Sequence, residues 1–338
     1  MDIQSINKKW RLLFPGYNLN VSADFARTCI NVMESMSANY IDSFSEGIAV
    51  VSRDYKKYGF ISDKGKIIAP LIYEKAWYFN DGFAKVKKDG KWLLLNKDGR
   101  EITLEKDYQD IGRMQCRRCK ATTKIFQEEE FLYGDFDSEE EIGWWGYLDE
   151  CGCEVIPTQY IYARDFVDGY ASVCRGGWKK TDSGLYQRTE CLWGVIDVNG
   201  NEVIPCRHDD ISHFYAATDI FKVHTGGWKN GAWGVMNKQG EWLAPPIFNN
   251  IGDEYSNGIF DFYEYLSTPP ILEGCNKLYG IYDIINQKIL FEPQFISVTA
   301  EDGLFTMLSI DDNGNVTKQT ADYQELRSIY PRKSAYCN

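Results

Sequence analysis

The chain has 338 residues, 44% of them hydrophobic and 15% aromatic, which is enough for a large core and too apolar for a disordered chain. Its net charge of −12 and pI near 4.9 argue against nucleic acid as a partner, since phosphate binding needs a basic face, and favour solubility or docking on a basic protein. No apolar run approaches the ~18 residues of a membrane span and the first residues carry no export signal, so a cytoplasmic protein whose ten cysteines are reduced thiols is expected.

Residues 1–43 read as a helical N-terminal cap. Ile6 to Leu13 predicts a short helix stopped by Phe14-Pro15-Gly16. Ser22 is the N-cap candidate of a second helix, in which Phe25, Cys29, Met33, Met36 and Tyr40 recur at helical spacing. Repeat arrays need such caps to cover an exposed end; a helix that meets a membrane or a partner is the alternative.

From Phe44 a sentence repeats. An aromatic-Gly step stands at Tyr58-Gly59, Trp145-Gly146, Trp193-Gly194, Trp233-Gly234 and Tyr279-Gly280, with Trp92-Leu93 as the degenerate second copy. Seven residues after each aromatic come Gly65, Gly99, Gly152, Gly200 and Gly240, and Asn286 in the last copy, which predicts a left-handed turn residue there. Three residues before that position stand Ser62, Asn96, Asp149, Asp197, Asn237 and Asp283, side chains able to bond back to the turn. Pro70, Pro157, Pro205 and Pro245 follow, and a residue without an N–H is expected to end the ladder. Ahead of the aromatic-Gly step, Phe44-Ser45-Glu46-Gly47, Phe79-Asn80-Asp81-Gly82, Phe166-Val167-Asp168-Gly169 and Tyr255-Ser256-Asn257-Gly258 each lead into a short apolar run. One unit is thus strand, aromatic-Gly strand, Gly turn and a third strand ending at Pro.

Two stretches fall outside the period. Asp107 to Glu141 reads as a long irregular insertion (107–141) carrying Cys116-Arg117-Arg118-Cys119 and two acidic triplets, and Lys179 to Thr189 as a smaller one that splits a hairpin. The array runs from 44 to 310. Residues 311–338 form a C-terminal cap, with a hairpin turn at Asp311 to Gly314 and a helix from Tyr323 to Tyr330.

The repeated Trp-Gly step, the Asp/Asn-x-x-Gly turn and the Val-Ile-Pro ending resemble the WG-repeat (KWG-type) family of bacterial proteins, most clearly at Trp145 to Pro157, Trp193 to Pro205 and Trp233 to Pro245. The resemblance implies a bacterial β-repeat protein that serves as a binding or scaffold module, and it implies no catalytic residues.

The fold expected is all-β: about six three-stranded antiparallel WG-repeat units behind a short helical cap. An open superhelical or solenoid-like array is favoured over a propeller-like ring, because propeller blades usually carry four strands. The aromatic-Gly residues are expected in the shared core. Trp178 and Trp228, in the echoed Gly-Gly-Trp-Lys stretches beyond the strand slot, are the candidate binding residues. Cys116, Cys119, Cys151 and Cys153 are candidates for one structural zinc, although a Cys-x-Cys pair is uncommon for it. His208 lies where other copies place Tyr73, Tyr160 and Phe248 and reads as a repeat-slot residue. No nucleophile elbow, phosphate loop, zinc-protease helix or dinucleotide fingerprint occurs. The expected function is non-enzymatic protein binding. Its sharper form is an immunity or regulatory protein that blocks a basic partner such as a toxin; a carboxylate-based hydrolase on a β-repeat ring is the alternative class.

Overall fold

The computed structural model describes residues 3–13, 22–126, 143–213, 220–255, 258–266, 276–311 and 314–329. Strands follow the sequence period, but six of the sheets carry one strand more than the three expected. The first sheet runs β1 (Tyr40–Ile41), β2 (Ile48–Arg53), β3 (Lys57–Ser62), β4 (Ile67–Tyr73), and the second β5 (Lys75–Ala76), β6 (Phe83–Lys88), β7 (Lys91–Asn96), β8 (Glu101–Thr103). The third contains β9 (Asp110–Gln115), β10 (Arg118–Ile125), β11 (Gly143–Leu148) and β12 (Glu154–Tyr160), and the fourth β13 (Tyr162–Ala163), β14 (Tyr170–Lys180), β15 (Tyr186–Asp197) and β16 (Glu202–His208). The fifth has β17 (Asp210–His213), β18 (Ile220–Thr225), β19 (Ala232–Asn237) and β20 (Trp242–Phe248), and the sixth β21 (Ile251–Tyr255), β22 (Ile259–Tyr265), β23 (Lys277–Asp283) and β24 (Lys288–Phe295). The last has three strands, β25 (Ser297–Glu301), β26 (Leu304–Ile310) and β27 (Val316–Asp322). In every sheet the strands lie in chain order, so neighbours are antiparallel hairpins.

This corrects the expected units in three ways. Three of the extra first strands, β1, β5 and β13, are two residues long, too short to show alternation. Four strands per sheet removes the strand-count reason for preferring an open array. The supposed insertion at 107–141 contains β9 and β10, the first half of the third sheet, and 311–322 completes the last sheet with β27.

The chain divides into two compact units, Met1–Glu190 with Val198–Gly200, and Cys191–Asp197 with Asn201–Asn338, the division passing through β15. In the first, helix α1 (Ile3–Leu13) and helix α2 (Ala23–Met36) lay Ile6, Trp10, Cys29, Ile30 and Met33 on Ile41, Ala49, Val51 and Ile61 of the first sheet. The Ser22 side chain accepts the Phe25 N–H, and Ser37, at φ 55°, ends the helix short of Tyr40, which opens β1. The other face of that sheet shares a core with the second (Phe60, Tyr73, Phe79, Val86), and the second shares one with the third (Trp92, Leu94, Ile111, Met114, Leu148). In the second unit the fifth and sixth sheets pack through Phe248, Phe260 and Tyr282. The sixth and seventh pack through Phe295, Phe305 and Leu326 of a closing helix, α3 (Tyr323–Ile329). An Asp322–Glu325 capping box starts that helix, and Arg327 clasps Asp283 at 3.0 Å. The first, second and sixth sheets are therefore slabs with two buried faces, and this is why these stretches are so rich in aromatic and branched residues.

The repeated residues now have physical reasons. Asp149 Oδ1 accepts the N–H groups of Cys151 and Cys153, while Gly152, at φ 77°, takes the left-handed position. In the sixth sheet that position falls on Gln287, φ 49°, rather than Asn286, because the Asp283↔Lys288 hairpin closes differently. The prolines do not end their strands. Pro157 lies inside β12, an edge strand, where a register shift sets Tyr147 against Ile156 but Trp145 against Tyr160. The two surplus residues fold over Gly146, where a Cβ would lie 2.7 Å from the Pro157 carbonyl carbon; at Gly194 it would lie 2.6 Å from the Ile204 oxygen. The glycine after the tryptophan thus makes room for the bulge that the proline tolerates.

Candidate functional site

The fifth sheet presents the clearest exposed feature. The β18–β19 hairpin closes through Gly226 to Gly231, where Gly226 and Gly227 have φ of 99° and 85° and Gly227 accepts the Gly231 N–H. Only glycine fits at 231, since a Cβ there would stand 2.6 Å from the Gly227 oxygen. This tight loop carries Trp228, which is 67% exposed. One face of its indole lies on the His224 ring, centroids 4.8 Å apart and planes 13° apart, and His224 meets Trp233 edge-on at 5.2 Å. Asp209 pins the arrangement. Its Oδ2 contacts His224 Nδ1 at 3.2 Å and accepts the Gly227 N–H at 2.8 Å. The result is a supported aromatic plate with its other face toward solvent, the geometry of a contact anchor.

A second feature lies where the repeat degenerates. In the second sheet β8 pairs with β7 only from Leu93↔Thr103 to Leu95↔Glu101, in unbroken register, and the chain leaves the ladder at Leu104. With Leu93 in place of glycine there is no room for a bulge. Between the start of β7 and residues 103–108 lies a groove of about 590 Å³, floored by Trp92, Leu93 and Tyr108 and rimmed by Asp89, Glu105 and Asp107. Lys91 pairs with Asp107 at 2.9 Å and Lys106 with Glu154 at 2.9 Å.

The other expected site residues fall elsewhere. The Trp178 side chain lies outside the described residues; its backbone belongs to β14, lengthened with β15 where the 179–189 insertion was read. Cys119 is fully buried, its thiol donating to the Gly112 oxygen at 3.3 Å, and burial together with Asp165 pushes its pKa up, away from a metal-binding thiolate. Cys151 and Cys153 are exposed on the Asp149 turn. Among the described residues no group of three or more His, Cys, Asp or Glu is placed to hold a metal ion. Cys174 and Cys191 are disulfide-bonded, a departure from the expectation of ten reduced thiols. His208 is a slot residue as read. It is buried opposite Trp193, and neither ring nitrogen has a hydrogen-bond partner. Burial and then the Arg207 charge lower its pKa, so it is held neutral.

Cys116 has a structural part. With Arg117 it forms the two-residue β9–β10 turn, both at positive φ, in the place of Glu46-Gly47 and Asp81-Gly82. Glu46 Oε2 accepts the Gly82 N–H at 3.0 Å, Asp81 Oδ2 the Arg117 N–H at 3.3 Å, and Cys116 Sγ the Gly169 N–H at 3.2 Å. Ser45 donates to the Phe79 oxygen and Asn80 to that of Met114. The aromatic-x-acid-Gly motif is therefore a clasp from the first sheet to the second and from the second to the third, and Cys116 continues it to the fourth. Sequence reasoning missed a companion row. Lys85, Lys120 and Lys222, each the third residue of its strand (β6, β10 and β18), reach the carbonyls of Ile111, Ala163 and Gly252 at 2.6, 3.3 and 2.6 Å. Their recurrence at one offset was a readable signal. Trp228 stood out in the sequence, but its assembly with Asp209 and His224, across β17, β18 and the β18–β19 loop, left no signal.

A family profile described as WG containing repeat matches residues 58–92, 145–177, 193–216 and 233–263. The chain carries WG repeats. Each matched WG segment starts at the aromatic-Gly strand of one sheet and runs into the next sheet, so repeat and sheet are offset by half a unit. Past Trp92, where the first matched segment ends, the second copy lies outside the matched segments, as does the copy beginning at Tyr279. No curated protein matches in sequence. Among solved structures, the tricorn protease aligns at 12% identity over 83% of this chain and 34% of its own (TM-score 0.31). The acylaminoacyl peptidase of Pyrococcus horikoshii aligns at 12% over 86% and 53% (TM-score 0.32), and lmo1340 of Listeria monocytogenes EGD-e at 8% over 81% and 88% (TM-score 0.32). The chain thus spans about a third to a half of the two peptidases, and at these scores no activity transfers from any of the three.

Proposed function

We propose that this WG-repeat chain is a non-enzymatic scaffold that binds protein partners, with the Trp228 plate as a contact surface. The observation that carries the reading is the plate itself: a two-thirds exposed indole held by a glycine loop, a histidine and a carboxylate. Two carboxylates with displaced pKa values point the same way. Burial pushes Glu46 and Asp283 up, but Lys97 and the Gly82 N–H on one, and Arg327 and Asn286 on the other, outweigh it and hold both low, as anchors rather than proton donors. The net charge of −12 suits a basic partner, and blocking such a protein, as an immunity or regulatory factor blocks a toxin, is the sharper form of the proposal.

Affinity capture from host cells with wild-type and Trp228→Ala baits tests it. A stoichiometric protein partner is expected on the wild type, bound on the order of 30-fold more weakly by the variant, with unchanged melting. Equal recovery on both baits would overturn the role of Trp228. Absence of any partner, together with turnover of a glycan or peptide library, would overturn the scaffold.

A further inference from the structure

We propose that the groove beside β7 is a separate recognition site whose occupant is an extended, basic segment of a partner protein. The proposal rests on the scaffold reading but not on Trp228.

The sister sheets show what fits there. In five of them the aromatic of the repeat has a ladder partner in the last strand: Tyr58↔Tyr73, Trp145↔Tyr160, Trp193↔His208, Trp233↔Phe248 and Tyr279↔Phe295. In the second sheet the ladder stops at Leu93↔Thr103, one residue short of Trp92. The groove therefore opens where the other sheets hold the second half of their own last strand, an extended run such as Pro157–Tyr160 that ends in an aromatic ring. A guest lying beside Lys91 and Trp92 continues the short stretch of strand edge that β8 leaves unpaired, the geometry of strand addition. Tyr108, within 3.4 Å of Glu154, closes the far end.

The rim sets the charge of the guest. It carries Asp89, Glu105 and Asp107, and its two lysines are already committed, Lys91 to Asp107 and Lys106 to Glu154. An acidic segment meets unbalanced repulsion, whereas a lysine or arginine beside Asp89 or Glu105 meets an exposed carboxylate.

The test uses the full chain and two synthetic peptides. Both carry the Val155–Tyr160 sequence with benzoylphenylalanine in place of the tyrosine, one flanked by lysines and the other by glutamates. The lysine form is expected to bind about fivefold tighter or better. On illumination it should attach within 89–93 or 103–108. The double variant Asp89→Asn, Glu105→Gln, at exposed positions, is expected to bring the two peptides to near parity with melting unchanged. Trp228→Ala should leave peptide binding intact. Attachment outside the groove, equal affinity for both peptides, no binding at millimolar peptide, or a cross-linked dimer of the chain through this edge would each overturn the proposal. Loss of partner capture in Trp228→Ala alone would leave it standing.

Discussion

The second and third sheets part at one pair of repeat positions, and their last strands diverge from there. The third has Gly146 and Pro157, a bulged last strand of seven residues, and a closed edge; the second has Leu93 and Leu104, an unbroken register, a last strand of three residues, and a groove. The glycine thus separates a sealed slab from an open one, and the sixth sheet, with Gly280 but Phe291 in the proline position, is bulged and closed all the same. Regularity builds the array, and the lapse in regularity makes a place for something else.

That comparison can be broken from either side. The largest effect should come from the part both kinds of sheet share: Trp193→Ala, in a residue only 6% exposed, is expected to cost about 3–5 kcal/mol in urea unfolding, and an unchanged curve would remove the aromatic seam from the explanation. Next, Gly146→Leu forces a side chain into the bulged backbone and should cost about 3 kcal/mol, whereas Leu93→Gly, where no bulge presses, should cost only about 1–2 kcal/mol for lost packing and flexibility. Similar losses at both positions would show that the bulge is not what demands glycine.

A smaller test uses the fourth sheet, where the aromatic slot holds a histidine. His208→Phe removes two unpartnered buried nitrogens and should stabilise by about 1–3 kcal/mol at neutral pH. The sign of the pH effect follows from the lowered pKa. Above about pH 6.5 the ring is neutral whether folded or not; on acidification the unfolded chain binds the proton first, so wild-type stability falls as pH drops below that value. The Phe variant should lose this part of the acid slope, and thermal melts at pH 7 and 5 decide it. The smallest effect is expected at the clasp. Cys116→Asp replaces a weak sulfur acceptor by the carboxylate that Glu46 and Asp81 supply, and should add about 0.5–1 kcal/mol; no gain would mean that the Gly169 N–H is already satisfied.

The fold was largely legible because its instructions are local. The Asp149 turn, the Trp-Gly step and the Ser22 cap each act within a few residues of themselves. What escaped reading was short or substituted. β5 spans two residues, and β9–β10 was hidden because Cys116-Arg117 stands where the other turns have acid-Gly. The site was less legible for a different reason. Trp228 could be picked as lying outside the strand slot, but its pairing with His224 and Asp209 exists only once β17 has paired with β18 and the β18–β19 loop has folded back. The groove is the converse case: Leu93 was visible as an exception, while its consequence depends on where Leu104 to Asp107 then runs.

The half-unit offset between repeat and sheet bears on how such a chain changes length. The segment 58–92 contributes the last two strands of one sheet and the opening strands of its successor. A gene duplication of that segment would not add a free-standing slab. It would hand each neighbour the half it needs, with the Glu46-type clasp already in place to receive it. Lengthening by recombination then leaves no raw strand edge at the junction, and new binding surfaces can arise by copying a unit and relaxing its glycine afterwards.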